Sequence, residues 1–317
     1  MAKIFGVNTK ISGKVGQLLY RQTKIGTVVS ELPAKPSTPL RTRLQMNIRT
    51  QWANLGAVYK LFAGRLRKGF ENLPKGQTVY NAFIQANLGV VKVYISRLIR
   101  LNGGAVLAPY QITRGSLPSI VISTDGSNKA VTSLSLNNLS IGNTTTVGQF
   151  SQAIIANNPG YEQGDQLTFF HGVQTVDAVT STPRATMTSS KLVLDVNSTD
   201  VLLNVVDSFG FATVGGHLGT SAALANGAVA WVHSRERENT LRVSTQYLYV
   251  VNSQLASYQG DSANLASIDS YGGVNSAAVY LQPDGETASV NTNSGSGSSN
   301  GNGGDGGGGD DNDGNQE

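Results

Sequence analysis

Near residue 117 the apolar residues of this chain change their spacing, and that change limits the class of fold open to it. Upstream, Leu40, Leu44, Ile48, Trp52, Leu55, Tyr59, Phe62 and Leu66 recur in steps of three and four, drawing one stripe along an α-helix. Downstream the chain breaks into short runs of alternating or apolar β-formers: "SIVIS", "AVTSLSL", "QLTFFHGV", "KLVLDV", "VLLNVV", "AVAWVHS" and "LRVSTQYLYVV". Clusters of Gly, Asn, Asp and Ser separate them. Helices followed by strands at this spacing predict an α+β chain whose second part is an antiparallel β-sandwich or barrel.

Local signals fill in the plan. "GQLLYRQTKIGTVVSEL" places β-formers on both sides of Lys24 and Gly26 and reads as a hairpin, and "PAKPSTP" after it reads as a stiff connector. Thr38 and Pro39 are an N-cap and first-turn pair, so the helix should open there, bury its whole stripe including Trp52, and kink or end at Gly64 or Gly69. A second helix should start at Thr78, pass through "VYNAFIQANL" and continue through "VVKVYISRLIRL" to Leu101, with Gly103 and Gly104 closing the module. Among the strands, "TVGQFSQAIIANN" reads as a short amphipathic helix. "GAVAWVHSR" and "TLRVSTQYLYVV" read as a hairpin across "ERENT", with Trp231 and either Tyr247 or Tyr249 facing the core. After Ala288 the chain is rich in Gly and acids and has almost no large apolar side chain, which reads as disorder. The expected division is a basic ribbon or arm at 1–36, a basic helical module at 37–116, a β-rich domain at 117–288 and a disordered acidic tail at 289–317.

Charge is divided in the same way. Residues 1–116 hold 18 Lys and Arg against Glu31 and Glu71, a balance of +16, whereas residues 117–317 carry −12, and the two nearly cancel to the overall +4. A segment so basic suits a polyanion: nucleic acid, bound without sequence preference, or the acidic surface of a neighbouring subunit. Lys14, Arg21, Lys24, Lys35, Arg41, Arg43, Arg49, Lys60 and Arg67 are the candidate contacts, with Tyr20 and Trp52 among them. Arg41, Arg49, Lys60 and Arg67 follow the helical stripe one position later, roughly 100° around the axis. The acidic tail reads either as a solubilising extension or as a decoy that competes for the basic module.

Signals for chemistry are sparse. No cysteine is present, which excludes disulfides and thiolate metal sites. His171, His217 and His233 lie in or beside expected strands without metal-ligand spacing, and read as structural. "SGKVG" lacks the rest of a phosphate-binding loop, and Gly215 and Gly216 in "VGGHLG" read as a turn. Asn138, Asn143 and Asn197 sit in glycosylation sequons, which carry weight only in a secreted chain. The first residues lack the apolar run of a secretory signal, and no stretch is apolar enough to cross a bilayer. These features lead us to expect a cytoplasmic, non-enzymatic protein with no cofactor, no metal and no membrane partner.

"SGKVGQLLYRQTKIGTVVSELP", "KPSTPLRTRLQMNIRTQW" and "YNAFIQAN" together resemble a family of uncharacterised proteins of Bacteroidetes bacteria and their phages, over about the first 90 residues. The chain departs from that pattern at "TPLRTRLQ", where the family has a plainer Thr-to-Gln spacing. The resemblance supplies no site residues and implies a phage-encoded or mobile-element protein. The expected function is therefore a structural protein of a phage particle or similar assembly, a homo-oligomer or virion component located in the host cytoplasm or the virion. The alternative is a soluble, sequence-independent nucleic-acid-binding protein of replication or packaging, with the acidic tail as its regulator.

Overall fold

Alternating side chains on one long strand divide this protein into two cores. A computed structural model describes residues 2–4, 12–23, 26–32, 41–62, 64–66, 69–238 and 240–274. Among them the chain is α+β. The tail expected at 289–317 lies outside the described residues.

Strands β1 (Ala2–Ile4), β2 (Gly13–Val15), β3 (Leu18–Thr23) and β4 (Gly26–Glu31) form an antiparallel sheet in the order β1-β4-β3-β2. The expected hairpin is the β3–β4 pair, in register from Leu18 opposite Glu31 to Thr23 opposite Gly26. In β2, β3 and β4 the only buried residue is Thr27, while Val15 and Leu18 are exposed.

Helix α1 (Arg43–Leu61) begins later than the Thr38–Pro39 pair suggests. Its cap is Thr42, whose hydroxyl accepts from the Gln45 N–H at 3.2 Å while the Gln45 side chain accepts from the Thr42 N–H at 3.2 Å. The expected stripe holds only in the second half, where Leu55, Phe62 and Leu66 are buried. Leu44, Ile48 and Trp52 are instead 56%, 48% and 42% exposed. The first turns bury Met46, Thr50, Gln51 and Asn54 in their place. Polar side chains win these positions because each satisfies a group that burial would otherwise strand. Asn54 donates to the Val106 carbonyl at 3.0 Å and the Tyr110 hydroxyl at 2.7 Å, and accepts from the Val106 N–H at 2.9 Å.

Helix α2 (Val79–Asn87) is capped by Thr78 as expected. The helix does not continue to Leu101. Gly89 takes φ +81° and donates its N–H to the Gln51 side chain at 3.1 Å, turning the chain out of the helix. The β-branched stretch that follows leaves the helix after a last turn on the Asn87 carbonyl, burying Val93 and Ile95, and α3 (Arg97–Leu101), capped by Ser96, is helical again.

Then come β5 (Gln111–Thr113), β6 (Ile122–Thr124), β7 (Ala130–Ser135) and α4 (Val147–Asn157), the last opened by a capping box between Thr146 and Gln149. After them follow β8 (Gln166–Val176), β9 (Pro183–Val193) and the single turn α5 (Leu202–Val205). "VLLNVV" is therefore not the strand its apolar run suggests. Its backbone is instead tied to the start of α4, with Leu202 N–H on the Thr145 carbonyl and Val147 N–H on that of Asp200, which leaves no ladder to join. Strands β10 (Ala212–Val214) and β11 (His217–Gly219) close on Gly215 and Gly216, both at positive φ as a tight hairpin turn demands. The chain ends its described course with β12 (Gly227–Arg237), β13 (Thr240–Val243), β14 (Gln246–Tyr247), β15 (Tyr249–Val251) and α6 (Gly260–Ser270). The hairpin across "ERENT" is β12 with β13, Trp231 is fully buried, and of the two tyrosines Tyr249 packs against the same core while Tyr247 is 52% exposed.

Strand β12 pairs with β8, β13 and β15, and β8 pairs with β9, so these five form the central sheet. Because neighbouring side chains on a strand point to opposite faces, "AVAWV" feeds two cores at once. Ala228, Ala230 and Val232, with Phe170 and Met187, face α1, α2 and residues 105–112. Val229 and Trp231, with Leu167, Phe169 and Leu192, face α4 and the second sheet, in the order β10-β11-β7-β6. The first core therefore spans residue 116, and β5 pairs with β14 across it.

Candidate functional site

Lys14 and Arg21 are exposed on β2 and β3. Lys14 stands opposite Leu19, so it shares a sheet face with Arg21, whereas Tyr20 belongs to the other face. Lys24, Lys35 and Arg67 lie outside the described residues. Arg41 sits just before α1, Arg43 is its first residue, and Arg49 and Lys60 are exposed along it. The structure adds Arg97 and Arg100, exposed on α3, which packs against α1. Reading one helix through Leu101 hides that neighbourhood, and the glycine at 89 is the signal in the sequence that could reveal it.

At the start of α1, charge is placed against the helix dipole. Neither α1, α2 nor α3 has an acid in its first turn, and Arg41 and Arg43 crowd the end of α1 where the helix dipole already favours anions. Among the described residues no carboxylate forms an ion pair with Arg41, Arg43, Arg49, Lys60, Arg97 or Arg100. Arg41 donates to the Gly272 carbonyl at 2.9 Å. Burial pushes the Tyr271 hydroxyl up, and Arg100, Arg49 and Arg97 pull it back.

Beside the cations runs a groove of about 910 Å³. Ala53, Gly56 and Ala57 line it with small side chains, and Ile48, Trp52 and Tyr80 line it with larger ones. The Trp52 indole is held there by donating to the Tyr80 hydroxyl at 2.8 Å. Arg49, Lys60 and Arg100 also line the groove. It can therefore take an extended segment that is apolar in part and acidic in part.

Ionisable groups in the β half are knitted into the fold. Asp165, 1% exposed, accepts from Arg235 Nε at 2.6 Å and pairs with His233 Nε2 at 2.7 Å. Burial pushes its carboxyl up, but the hydrogen bonds from Arg235 and His233 outweigh that and hold it well below the usual carboxylate range. Tyr161 stacks on His233 at 4.1 Å between ring centres, and Arg235 also reaches Glu162 and the Gly160 carbonyl. This arrangement pins the 160–165 loop to β12. His171 stacks on Phe209 at 4.2 Å, burial pushing its pKa down, and His217 meets the Gly215 carbonyl. No group of His, Asp and Glu among the described residues is arranged to hold a metal ion, and no described helix is long and apolar enough to cross a membrane. No family model, curated protein or solved structure is matched by this chain.

Proposed function

We propose that this chain is a non-enzymatic structural subunit of a particle, the virion of a Bacteroidetes phage or a similar assembly built in the host cytoplasm, and that its basic N-terminal sheet docks on a neighbouring subunit or on packaged nucleic acid. The N-terminal sheet carries the reading. A small sheet that buries one threonine among three strands lacks the apolar contact that makes such ribbons stable in water, so its stability has to come from another surface. Val15 and Leu18 give it apolar contacts, and Lys14 and Arg21 on one face give it charge. The β half is read as a sandwich, since the central sheet and the β6–β7–β11–β10 sheet contribute to one core.

Sedimentation of the purified chain without nucleic acid tests this. The full chain should form assemblies of fixed stoichiometry, and deletion of residues 1–32 should leave a folded protomer that no longer assembles. A chain that stays monomeric with the sheet intact refutes the subunit reading. The second reading, a sequence-independent nucleic-acid-binding protein of replication or packaging, is favoured by the arginines at the start of α1, which pair with no described carboxylate. It requires binding to unrelated duplexes by the monomer, with affinity falling steeply as salt rises.

A further inference from the structure

The groove along α1 offers an aromatic face as well as charge. We propose that it is a binding site for single-stranded nucleic acid, with Trp52 stacking on a base and Arg49, Lys60 and Arg100 holding phosphates beside it. This site rests on the reading that the basic module meets nucleic acid, and it adds where contact is made and in which strand state.

Charge selects an anion. Among the described residues that line the groove three are cations and none is an acid. Arg49, Trp52, Gly56 and Lys60 follow one another in steps of three and four, so they share one face of α1, and Arg100 joins them from α3. Arg49 and Lys60 stand about 16 Å apart along the helix, at about 1.5 Å per residue. At roughly 3.4 Å per stacked nucleotide that length spans several nucleotides, so the two cations suit successive phosphates of a strand better than a single anion.

Trp52 selects a flat, apolar group. It is 42% exposed, its Nε1–H donates to the Tyr80 hydroxyl at 2.8 Å, and the Tyr80 ring meets Tyr59 edge-on at 5.0 Å between ring centres. The polar edge of the indole is therefore satisfied and its position fixed, while no described ring stacks on its face. An aromatic ring held in the open among cations is what sequence-tolerant strand binding uses, because every base has a face to stack. In a duplex, neighbouring base pairs cover those faces. Trp52 can therefore add affinity for a single strand and not for a duplex.

Gly56 keeps the space next to that ring open. A glycine inside a helix costs about 0.5–1 kcal/mol relative to alanine. Nothing in the packing demands it here, since a Cβ at this position would meet only the Tyr80 hydroxyl, at 3.8 Å. The missing side chain leaves room one turn beyond Trp52, where a base lying on the indole continues the groove toward Lys60.

The protein carries its own reporter. It has two tryptophans, and Trp231 is fully buried, so a change in emission on adding ligand to the full chain reads Trp52. A short oligo-dT should quench that emission, and a Trp52→Phe chain, which retains Trp231 alone, should not respond. By anisotropy of a labelled oligonucleotide, Trp52→Ala should weaken oligo-dT binding roughly tenfold, the loss of one stacked base, and leave the affinity for a duplex of the same length nearly unchanged. Gly56→Leu should weaken oligo-dT binding in the same selective way with no loss of stability in urea. Oligo-dT that binds without quenching Trp52, or a Trp52→Ala chain that loses duplex and single strand equally, overturns the site and leaves the nucleic-acid reading standing. Absence of binding to either nucleic acid in low salt overturns both. Quenching by poly-glutamate as strong as by oligo-dT would give the groove to an acidic protein, and displacement of oligo-dT by thymidine monophosphate at equal nucleotide concentration would make it a mononucleotide site. Either result overturns the proposal.

Discussion

Asn54 does what the apolar pattern assigned to its neighbours. It is fully buried on α1 and holds both backbone groups of Val106 and the Tyr110 hydroxyl. Each group left unsatisfied by its removal costs about 1–3 kcal/mol, so Asn54→Leu should lower stability by at least about 2 kcal/mol in urea unfolding. Leu44→Ala and Ile48→Ala should each cost less than about 1 kcal/mol, because these side chains are half exposed. Asp165 gives a pH signature. Its folded carboxyl titrates below its ordinary value, so its contribution is complete above about pH 5 and is lost as pH falls through the unfolded and then the folded pKa. The urea midpoint should drop on acidification below about pH 4. Asp165→Asn should start lower and show a weaker acid dependence, since it removes the buried carboxylate from His233 and leaves Arg235 with Glu162 alone.

Elements with one strong pattern were legible from the sequence: α4 from its apolar face, β8 and β12 from their continuous β-formers, the β10–β11 turn from two adjacent glycines. Burial on both faces explains why β12 reads as an unbroken apolar run. Failures have equally local causes. Leu44, Ile48 and Trp52 match helical spacing as well as Met46, Thr50 and Asn54 do, and only the Val106 and Tyr110 partners, distant in sequence, decide between the two faces. Gly89 ends a helix that apolar spacing alone would continue, and α6 escapes a pattern search because it has almost no apolar face. As for the candidate surface, its charge was legible in residues 1–116 and its geometry was not, since Arg100 reaches Arg49 only through the packing of α3 on α1. The surface can be tested as a unit. Arg49→Gln/Lys60→Gln/Arg100→Gln should leave unfolding nearly unchanged. It should also reduce the slope of log affinity for duplex DNA against log salt by about 0.9 for each phosphate that is no longer neutralised. An unchanged slope would mean that these cations meet only water.

At the scale of the molecule, the central sheet is a wall with a core on each side. The helices α1 and α2 cover one face and bury themselves against Phe170, Ala228, Ala230 and Val232. A chain ending at residue 116 keeps those helices and loses the surface they cover. It should therefore show little cooperative unfolding by circular dichroism, and any polyanion binding by that fragment would be binding by a loose basic chain. The intact protein should unfold in one transition, because neither core survives loss of the wall they share.

That shared wall also sets a schedule for synthesis. Roughly 140 residues separate the end of α2 at Asn87 from the start of β12 at Gly227. At about 5–20 residues per second, the helices emerge on the order of 10 s before the strand that completes their core. During that interval the most basic part of the chain is exposed beside the ribosome, a particle made largely of RNA, with its apolar side chains uncovered.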